Sequence, residues 1–124
     1  DQISPMSHRY LADQMLSANG GVCSEWPPGV APKAYLFPIR NRIISGLSDI
    51  TWVVQGTYKS GSCHTARFAA EQGRVVMASP GDVFSELAVA PNRLLQDGAH
   101  AVLSGEDIDQ MLALSSEKNK RAVH

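Results

Sequence analysis

The sequence has 124 residues, of which 44% are hydrophobic and 19% charged, with a formal net charge of −1. This composition is typical of a single globular domain and excludes a disordered or fibrous chain. No apolar run approaches the roughly 20 residues that cross a bilayer, and no signal-peptide pattern is present, so we expect a cytoplasmic protein with no membrane contact. Because the net charge is close to zero, any nucleic-acid binding would depend on a local basic cluster.

The first predicted elements are a helix, a strand and a proline-rich loop. Apolar residues at helical spacing predict a helix over residues 7–18, which Asn19-Gly20-Gly21 ends. Val22-Cys23-Ser24 predicts a short strand. Pro27-Pro28-Gly29 excludes regular structure immediately after it.

A second helix and a second strand come next. Pro38 suits a first helical turn, and the helix is expected to end near residues 46–48. Its predicted apolar face consists of Ile39, Ile43, Ile44 and Leu47. Arg40 and Arg42 would project away from that face. The apolar, β-branched run Ile50–Val54 predicts a central parallel strand that is covered on both faces.

The remaining sequence alternates helices and strands. The predicted order is helix 62–72, strand 75–78, helix 91–96, strand 99–103 and a helix through Leu114. Gly73 would end the first of these helices, and Ser104 with Asp107 forms a capping box for the last. A charged tail follows over residues 117–124. The alternation predicts an α/β fold with a parallel sheet and right-handed crossovers, in which ligands bind beyond the carboxyl ends of the strands.

The loop from Gly56 to Ser62 follows a predicted strand and opens a helix, which is a geometry that binds anions. Lys59 adds a positive charge, and the hydroxyls of Ser60, Ser62 and Thr65 add donors for phosphate oxygens. The spacing is similar to a nucleotide-hydrolysing phosphate loop, but Ser62 replaces that motif's lysine. The alternative is an ordinary helix N-cap in which the glycines make the turn.

The segment from Phe37 to Arg42 combines one aromatic ring with two guanidinium groups. Proteins that bind single strands use this pairing, because guanidinium groups hold phosphates while the aromatic ring stacks on a base. The alternative is a solvated basic helix start with Phe37 in the core.

We expect no metal site, no cofactor and no catalytic dyad. The histidines are scattered, at positions 8, 64, 100 and 124. Cys63 and His64 are adjacent and would point in different directions. Glu71 and Asp82 fit helix-end and turn positions rather than general acids. Both cysteines, Cys23 and Cys63, are expected to be reduced.

Two long motifs resemble the DNA-processing protein A family, known as DprA or Smf. FPIRNRIISGLSD at residues 37–49 matches that family's FPxRNRxISGLS, and SGSCHTARFAAEQGRVVMASPG at residues 60–81 is similar to its SGSxxTAxxAxEQGRxVxAxPG. Residues 92–99 resemble its NxLIxDGA, and residues 106–108 resemble its closing helix. The similarity covers nearly the whole chain.

The resemblance implies a Rossmann-like, doubly wound domain that is not an enzyme. It would bind single-stranded DNA in a basic pocket at the sheet's carboxyl edge, form a homodimer and assist RecA loading during natural transformation and recombination. The residues carried over by position are Arg40, Asn41 and Arg42 from the first motif, and Lys59, Ser60, Gly61, Ser62 and Thr65 at the second. Phe37 is the candidate for base stacking.

The chain departs from the family pattern beside the expected pocket. Gln55-Gly56 replaces a Glu-Ala pair, Cys63-His64 replaces residues like Leu and Ile, and Ala90-Pro91 stands where a small or glycine-containing turn is common. The family's glycine-rich GxR loop is absent, so we expect residues 1–116 to be the C-terminal part of a domain that begins upstream. Two alternatives remain: a nucleotide-binding or phosphoribohydrolase-like protein, although its PGGxGTxxE pattern is missing, and a degenerate dimerisation or docking module.

Overall fold

A computed structural model describes residues 3–121, with side chains as far as residue 117. The chain divides into two compact units, Asp1–Phe37 and Pro38–His124. None of the helices in the described part is long and apolar enough to cross a membrane. The assignment of residues 1–116 to one domain stays a prediction.

Residues 3–35 of the first unit contain one α-helix. A 3-10 turn over Met6–His8 leads directly into α1, Arg9–Ser17, as predicted. Asn19, at φ 59°, ends the helix: its N–H donates to the Leu16 carbonyl at 3.2 Å, and the Gly20 N–H donates to the Met15 carbonyl at 2.8 Å. This left-handed ending confirms the predicted stop.

The strand predicted over residues 22–24 is wrong. Residues 20–35 form turns and irregular structure, and the side chain of Val22 is 56% exposed. A strand needs a hydrogen-bonded neighbour, and the apolar character of three residues does not supply one.

The second unit contains a parallel sheet of three strands in sequential order: β1, Ile50–Val53, β2, Val75–Ala78, and β3, His100–Ala101. The predicted α/β class with a parallel sheet is therefore confirmed. The bounds of β2 match those predicted from the sequence. Within the described sheet, however, β2 and not β1 is the central strand, and Trp52 of β1 is 44% exposed. Pairing partners distant in the chain, which local apolarity does not reveal, decide which strand is central.

Four α-helices accompany this sheet: α2, Leu36–Leu47, α3, Gly61–Glu71, α4, Val89–Gln96, and α5, Gly105–Arg121. A short 3-10 helix, Glu86–Ala88, leads into α4. Helix α5 continues beyond the predicted end at Leu114 and takes up much of the expected charged tail. The last residues of that tail, 122–124, lie outside the described residues.

The core of the second unit is built from small side chains around one methionine. Met77 is fully buried at the centre of the sheet, and Ala66 and Ala69 of α3 are fully buried with it. Alanine brings a helix close to a sheet because it adds little volume. Both α3 and α4 contact β2, as expected for helices that connect successive parallel strands.

The apolar face predicted for α2 is wrong. Ile44 is 46% exposed and Leu47 is 76% exposed, whereas Ser45 is fully buried and Leu36 is 8% exposed. A serine can take the buried position because its hydroxyl finds a hydrogen-bond partner elsewhere in the chain.

Candidate nucleic-acid interface

The loop after β1 is fixed by backbone hydrogen bonds to the segment that leads into α4. The Gly56 N–H donates to the Leu87 carbonyl at 2.7 Å, and the Ala90 N–H donates to the Gly56 carbonyl at 2.9 Å. Gly56 is buried, and a Cβ at this position would lie 2.8 Å from Ser62 Oγ. The chain therefore leaves β1 on a defined path, and residues 57–59 are exposed beyond it.

The start of α3 is capped by serine. The Ser60 hydroxyl accepts a long hydrogen bond of 3.4 Å from the Ser62 N–H, and the two serine hydroxyls lie 2.8 Å apart. The Cys63 N–H donates to the Ser60 carbonyl at 3.1 Å, while the Thr65 hydroxyl donates weakly to the Gly61 carbonyl at 3.5 Å. An anion at this helix start would therefore compete with donors that the cap already uses.

Helix α2 is held at its C-terminal end by two residues that follow α3. Gln72 Nε2 donates to the Arg42 carbonyl at 2.8 Å, and Gln72 Oε1 accepts from the Ser45 hydroxyl at 2.7 Å. Arg74 Nη2 donates to the Gly46 carbonyl at 2.7 Å. We call this pair of side chains the Gln72–Arg74 clamp. It gives a hydrogen bond to the Gly46 carbonyl, which the helix end leaves without an intrahelical partner, and places a positive charge at the negative end of the helix dipole.

The loop after β2 is fixed by Asn92 of α4. Its side-chain amide donates to the Gly81 carbonyl at 3.0 Å, and its Oδ1 accepts from the Gly81 N–H at 3.1 Å. A Cβ at Gly81 would lie only 2.7 Å from the Ala88 Cβ. Ala88 lies between Leu87 and Ala90, whose backbones bond Gly56, so the loops after β1 and β2 share one support.

The structure places the predicted site residues on two segments: α2, where the Arg42 carbonyl bonds Gln72 beyond the C-terminal end of α3, and the loop and helix start after β1, at the other end of α3. Arg40 and Arg42 are exposed on α2, where Asn41 is half-buried, and Lys59 is exposed on the loop after β1. Phe37, in the first turn of α2, is 54% exposed, so the alternative that placed its ring in the core is wrong. The remaining predicted residues form the start of α3: Ser60, Gly61, Ser62 and Thr65. Their binding roles stay predictions.

Three positioning residues were missed by local sequence patterns: Gln72, Arg74 and Asn92. Each bonds backbone atoms at least 11 residues away in the chain. Periodicity and spacing detect contacts along one element and give no sign of such bonds. The only available signal was their presence in the long motifs, as the EQGR and NRL stretches.

The structure also describes both cysteines and the side chains that could bind a metal ion. Cys23 and Cys63 both lie in the described part of the chain, and neither forms a disulfide. Among residues 3–121, no group of three His, Cys, Asp or Glu side chains lies close enough to hold a metal ion.

Comparison with known proteins identifies relatives over most of the chain. The profile of the DNA recombination-mediator protein A family matches residues 1–113. The DNA processing protein DprA of Bacillus subtilis is 49% identical over 110 residues, which cover 89% of this chain and 37% of that protein. Protein Smf of Escherichia coli is 46% identical over 106 residues, which cover 86% of this chain and 28% of that protein.

Two solved structures share the fold. DprA of Streptococcus pneumoniae superposes with a TM-score of 0.69 at 37% identity, over 87% of this chain and 38% of its own. DprA of Helicobacter pylori, solved to study how that protein binds single-stranded DNA, superposes with a TM-score of 0.72 at 27% identity, over 94% of this chain and 53% of its own. The chain thus spans about a third of the length of the curated relatives above. Because the family profile matches residues 1–113, the chain belongs to the DNA recombination-mediator protein A family.

Proposed function

We propose that the chain binds single-stranded DNA through its phosphates, along a path from Lys59 at the carboxyl edge of the sheet to the arginines of α2. The guanidinium groups of Arg40 and Arg42 and the ammonium group of Lys59 would hold phosphate oxygens, and the exposed ring of Phe37 would stack on a base. Asn41 and the start of α3, from Ser60 to Thr65, would add neutral donors. The single-stranded DNA bound by the H. pylori relative supports this choice of ligand.

The observation that carries this proposal is the Gln72–Arg74 clamp. Its hydrogen bonds join the helix that carries Arg40 and Arg42 to the C-terminal end of α3, the helix that follows Lys59. Charges held in a fixed arrangement bind a phosphate chain with less loss of side-chain entropy than charges on independent segments. No base-reading motif accompanies them, so we expect little sequence preference.

The test is the salt dependence of binding to a labelled oligothymidine, measured by fluorescence anisotropy. On single strands, each phosphate contact contributes about −0.7 to the slope of log K against log salt. Arg40→Ala and Lys59→Ala should each flatten the slope by about that amount. Arg9→Ala, an equal loss of charge in the first turn of α1, is the matched control and should change the slope less. If both site variants bind as the wild type does at every salt concentration, the site assignment is wrong.

We further propose that the domain does not hydrolyse nucleotides. The loop from Gly56 to Ser62 has serine where a nucleotide-hydrolysing loop has lysine, and the Ser60 and Ser62 hydroxyls bond each other. Incubation with nucleoside mono- and triphosphates should release neither phosphate nor free base. Release that scales with pure protein and disappears in Glu71→Gln or Asp82→Asn would establish an enzyme instead.

The role of the whole protein is proposed from its family. We infer a cytoplasmic, homodimeric DNA-processing protein that protects incoming single strands during natural transformation and recombination and delivers them to a RecA-type recombinase. Family membership over residues 1–113 supports this role. Because the chain corresponds to about a third of its relatives' length, we expect it to bind DNA more weakly than the full-length protein, by roughly ten- to a hundredfold for each charged phosphate contact that it lacks.

A further inference from the structure

A groove of about 780 Å³ lies between α3 and α4 on one face of the sheet. Tyr58 lines it at the carboxyl edge of the sheet, and Gly73 and Gly98, which follow the two helices, line it at the opposite edge. Since Tyr58 is adjacent to Lys59, the groove opens directly beside the proposed DNA site. The ring of Tyr58 is 75% exposed at this junction.

The charges that line the groove are mainly positive. Arg67 lies on α3, Arg93 on α4, and Arg74 directly before β2. Asp97 lines the groove with them and contributes one carboxylate. His64 and His100 line it as well. The whole chain has a formal net charge of −1, so this groove concentrates positive charge that the overall composition does not suggest. A cleft of one charge sign attracts ligands of the opposite sign.

Two of these arginines can exchange partners at little cost. Arg67 pairs with Glu71 at 2.8 Å and Arg93 pairs with Asp97 at 3.6 Å, each within its own helix. The arginine side chains are 78% and 65% exposed, respectively. Ion pairs this exposed contribute little to stability, whereas a guanidinium group binds a phosphate in a strong, two-pronged arrangement. A phosphate that enters the groove can therefore recruit both groups.

The floor of the groove is apolar. Ala70 of α3 is exposed along it, and Val75 and Val76 of β2 are half-exposed, with side chains on opposite faces of the sheet, so one of the two valines faces the groove. This exposed apolar surface offers contact to a base. The phosphates of a strand would bind the arginines at the rim of the groove, and its bases would contact the apolar surface.

We propose that this groove is a second binding track for the same DNA strand. A strand whose phosphates are held at Lys59 would pass Tyr58, stack one base on its ring and continue between α3 and α4, where Arg67 and Arg93 hold later phosphates. Arg67 lies six residues after Gly61, roughly 9 Å along α3, so only a strand longer than the first site reaches it. This inference rests on the proposed function, because the strand enters from the proposed site.

Oligonucleotide length separates the two sites. Anisotropy is measured with a short oligothymidine of about six nucleotides and a long one of about 20, at one salt concentration. The variant Arg67→Ala/Arg93→Ala should lose roughly tenfold in affinity for the long oligonucleotide and little for the short one. Arg67→Lys/Arg93→Lys should retain most of the affinity, since it keeps the charge. Arg9→Ala/Lys33→Ala, which removes two positive charges from exposed positions outside the groove, controls for the loss of net charge, and circular dichroism confirms folding.

Each outcome decides between the two claims. If Lys59→Ala weakens both lengths while Arg67→Ala/Arg93→Ala binds the long strand as the wild type does, the second track is refuted and the first site stands. If the groove variant weakens both lengths equally and Lys59→Ala weakens neither, the proposed first site is wrong and the groove itself is the DNA site. If the groove variant changes the oligomeric state in light scattering but leaves DNA binding unchanged, the groove is a protein interface and the inference fails.

Discussion

Replacing Gly81 with alanine should destabilise the protein by steric conflict with one identified neighbour. The new Cβ would lie 2.7 Å from the Ala88 Cβ, whereas carbon atoms in contact prefer about 3.5–4.0 Å, so the two must separate by roughly 1 Å. Neither can move without cost. The backbone N–H and carbonyl of Gly81 both bond the side chain of Asn92, and Ala88 is 6% exposed between residues whose backbones bond Gly56.

The size of the effect follows from similar cases of overpacking, which cost about 1–3 kcal/mol. In a chain of this length, each kcal/mol lowers Tm by about 4 °C, so the expected loss for Gly81→Ala is roughly 4–12 °C. Ala88→Gly removes the opposing methyl group and should itself cost about 1 kcal/mol, because it introduces glycine and loses a buried methyl group. The double variant should be about as stable as Ala88→Gly alone, since the conflict no longer exists.

Urea unfolding of the four proteins measures this coupling as a double-mutant cycle. The steric account requires a favourable interaction energy of at least about 1 kcal/mol between the two substitutions. Hydrogen exchange provides a second measurement: in Gly81→Ala alone, the Gly56 and Ala90 amides should exchange faster, because displaced Ala88 disturbs the bonds that hold them. Additive losses, with unchanged exchange at those amides, would show that the loop relaxes away from Ala88 and that the two loops do not share a support.

Four further substitutions test helix ends. Gly46→Ala should leave the free energy of unfolding unchanged or raise it by about 0.5–1 kcal/mol in urea, because its Cβ would meet Gln72 Nε2 at an ordinary 3.6 Å; a loss would show that the clamp has no room for a methyl group. Gly98→Ala should lower Tm by roughly 4–8 °C, because Gly98 has a φ of 101°, which disfavours a side chain. Gly105→Ala, with open space around its Cβ, should not lower Tm. Equal losses in the two variants would show that the positive φ is not the cause. The N–H groups of Leu103 and Ser104 hold the pKa of Asp107 below its ordinary 3.8, so this carboxylate stabilises the fold above that pH and its contribution is lost as pH falls through the lowered pKa. Asp107→Asn should therefore flatten thermal stability between about pH 2 and pH 5, and a profile identical to the wild type would exclude this role.

The elements predicted well are those whose limits are encoded locally. The bounds of β2 were correct because its apolar run lies between Gly73, at φ 69°, and the break at Ser79-Pro80-Gly81. The C-terminal ends of α3 and α4 use the same local device: the residue after each positive-φ glycine donates back into the helix, from Arg74 to the Ala69 carbonyl and from Ala99 to the Leu94 carbonyl, both at less than 3 Å. Such ends need only the identity of one residue at the correct position.

The features predicted poorly depend on partners elsewhere in the chain. The apolar pattern of α2 favoured Ile44 and Leu47 as its buried face, but Ser45 is buried because Gln72 lies opposite it, 27 residues later. The edge position of β1 likewise depends on which strands pair. In the candidate site, the charged residues were predicted from their types and spacing and their binding roles stay predictions, whereas the bonds that position their helices join distant parts of the chain.

The Gln72–Arg74 clamp also bears on how the protein can evolve. Two of its three contacts with α2 are made to backbone carbonyls, at Arg42 and Gly46, and only Ser45 contributes a side chain. The clamp therefore places no requirement on the side-chain chemistry at position 42, which can change while the helix stays in register. The family's FPxRNRxISGLS motif nevertheless keeps arginine at position 42, so we expect this side chain to be retained for binding and not for the register of α2.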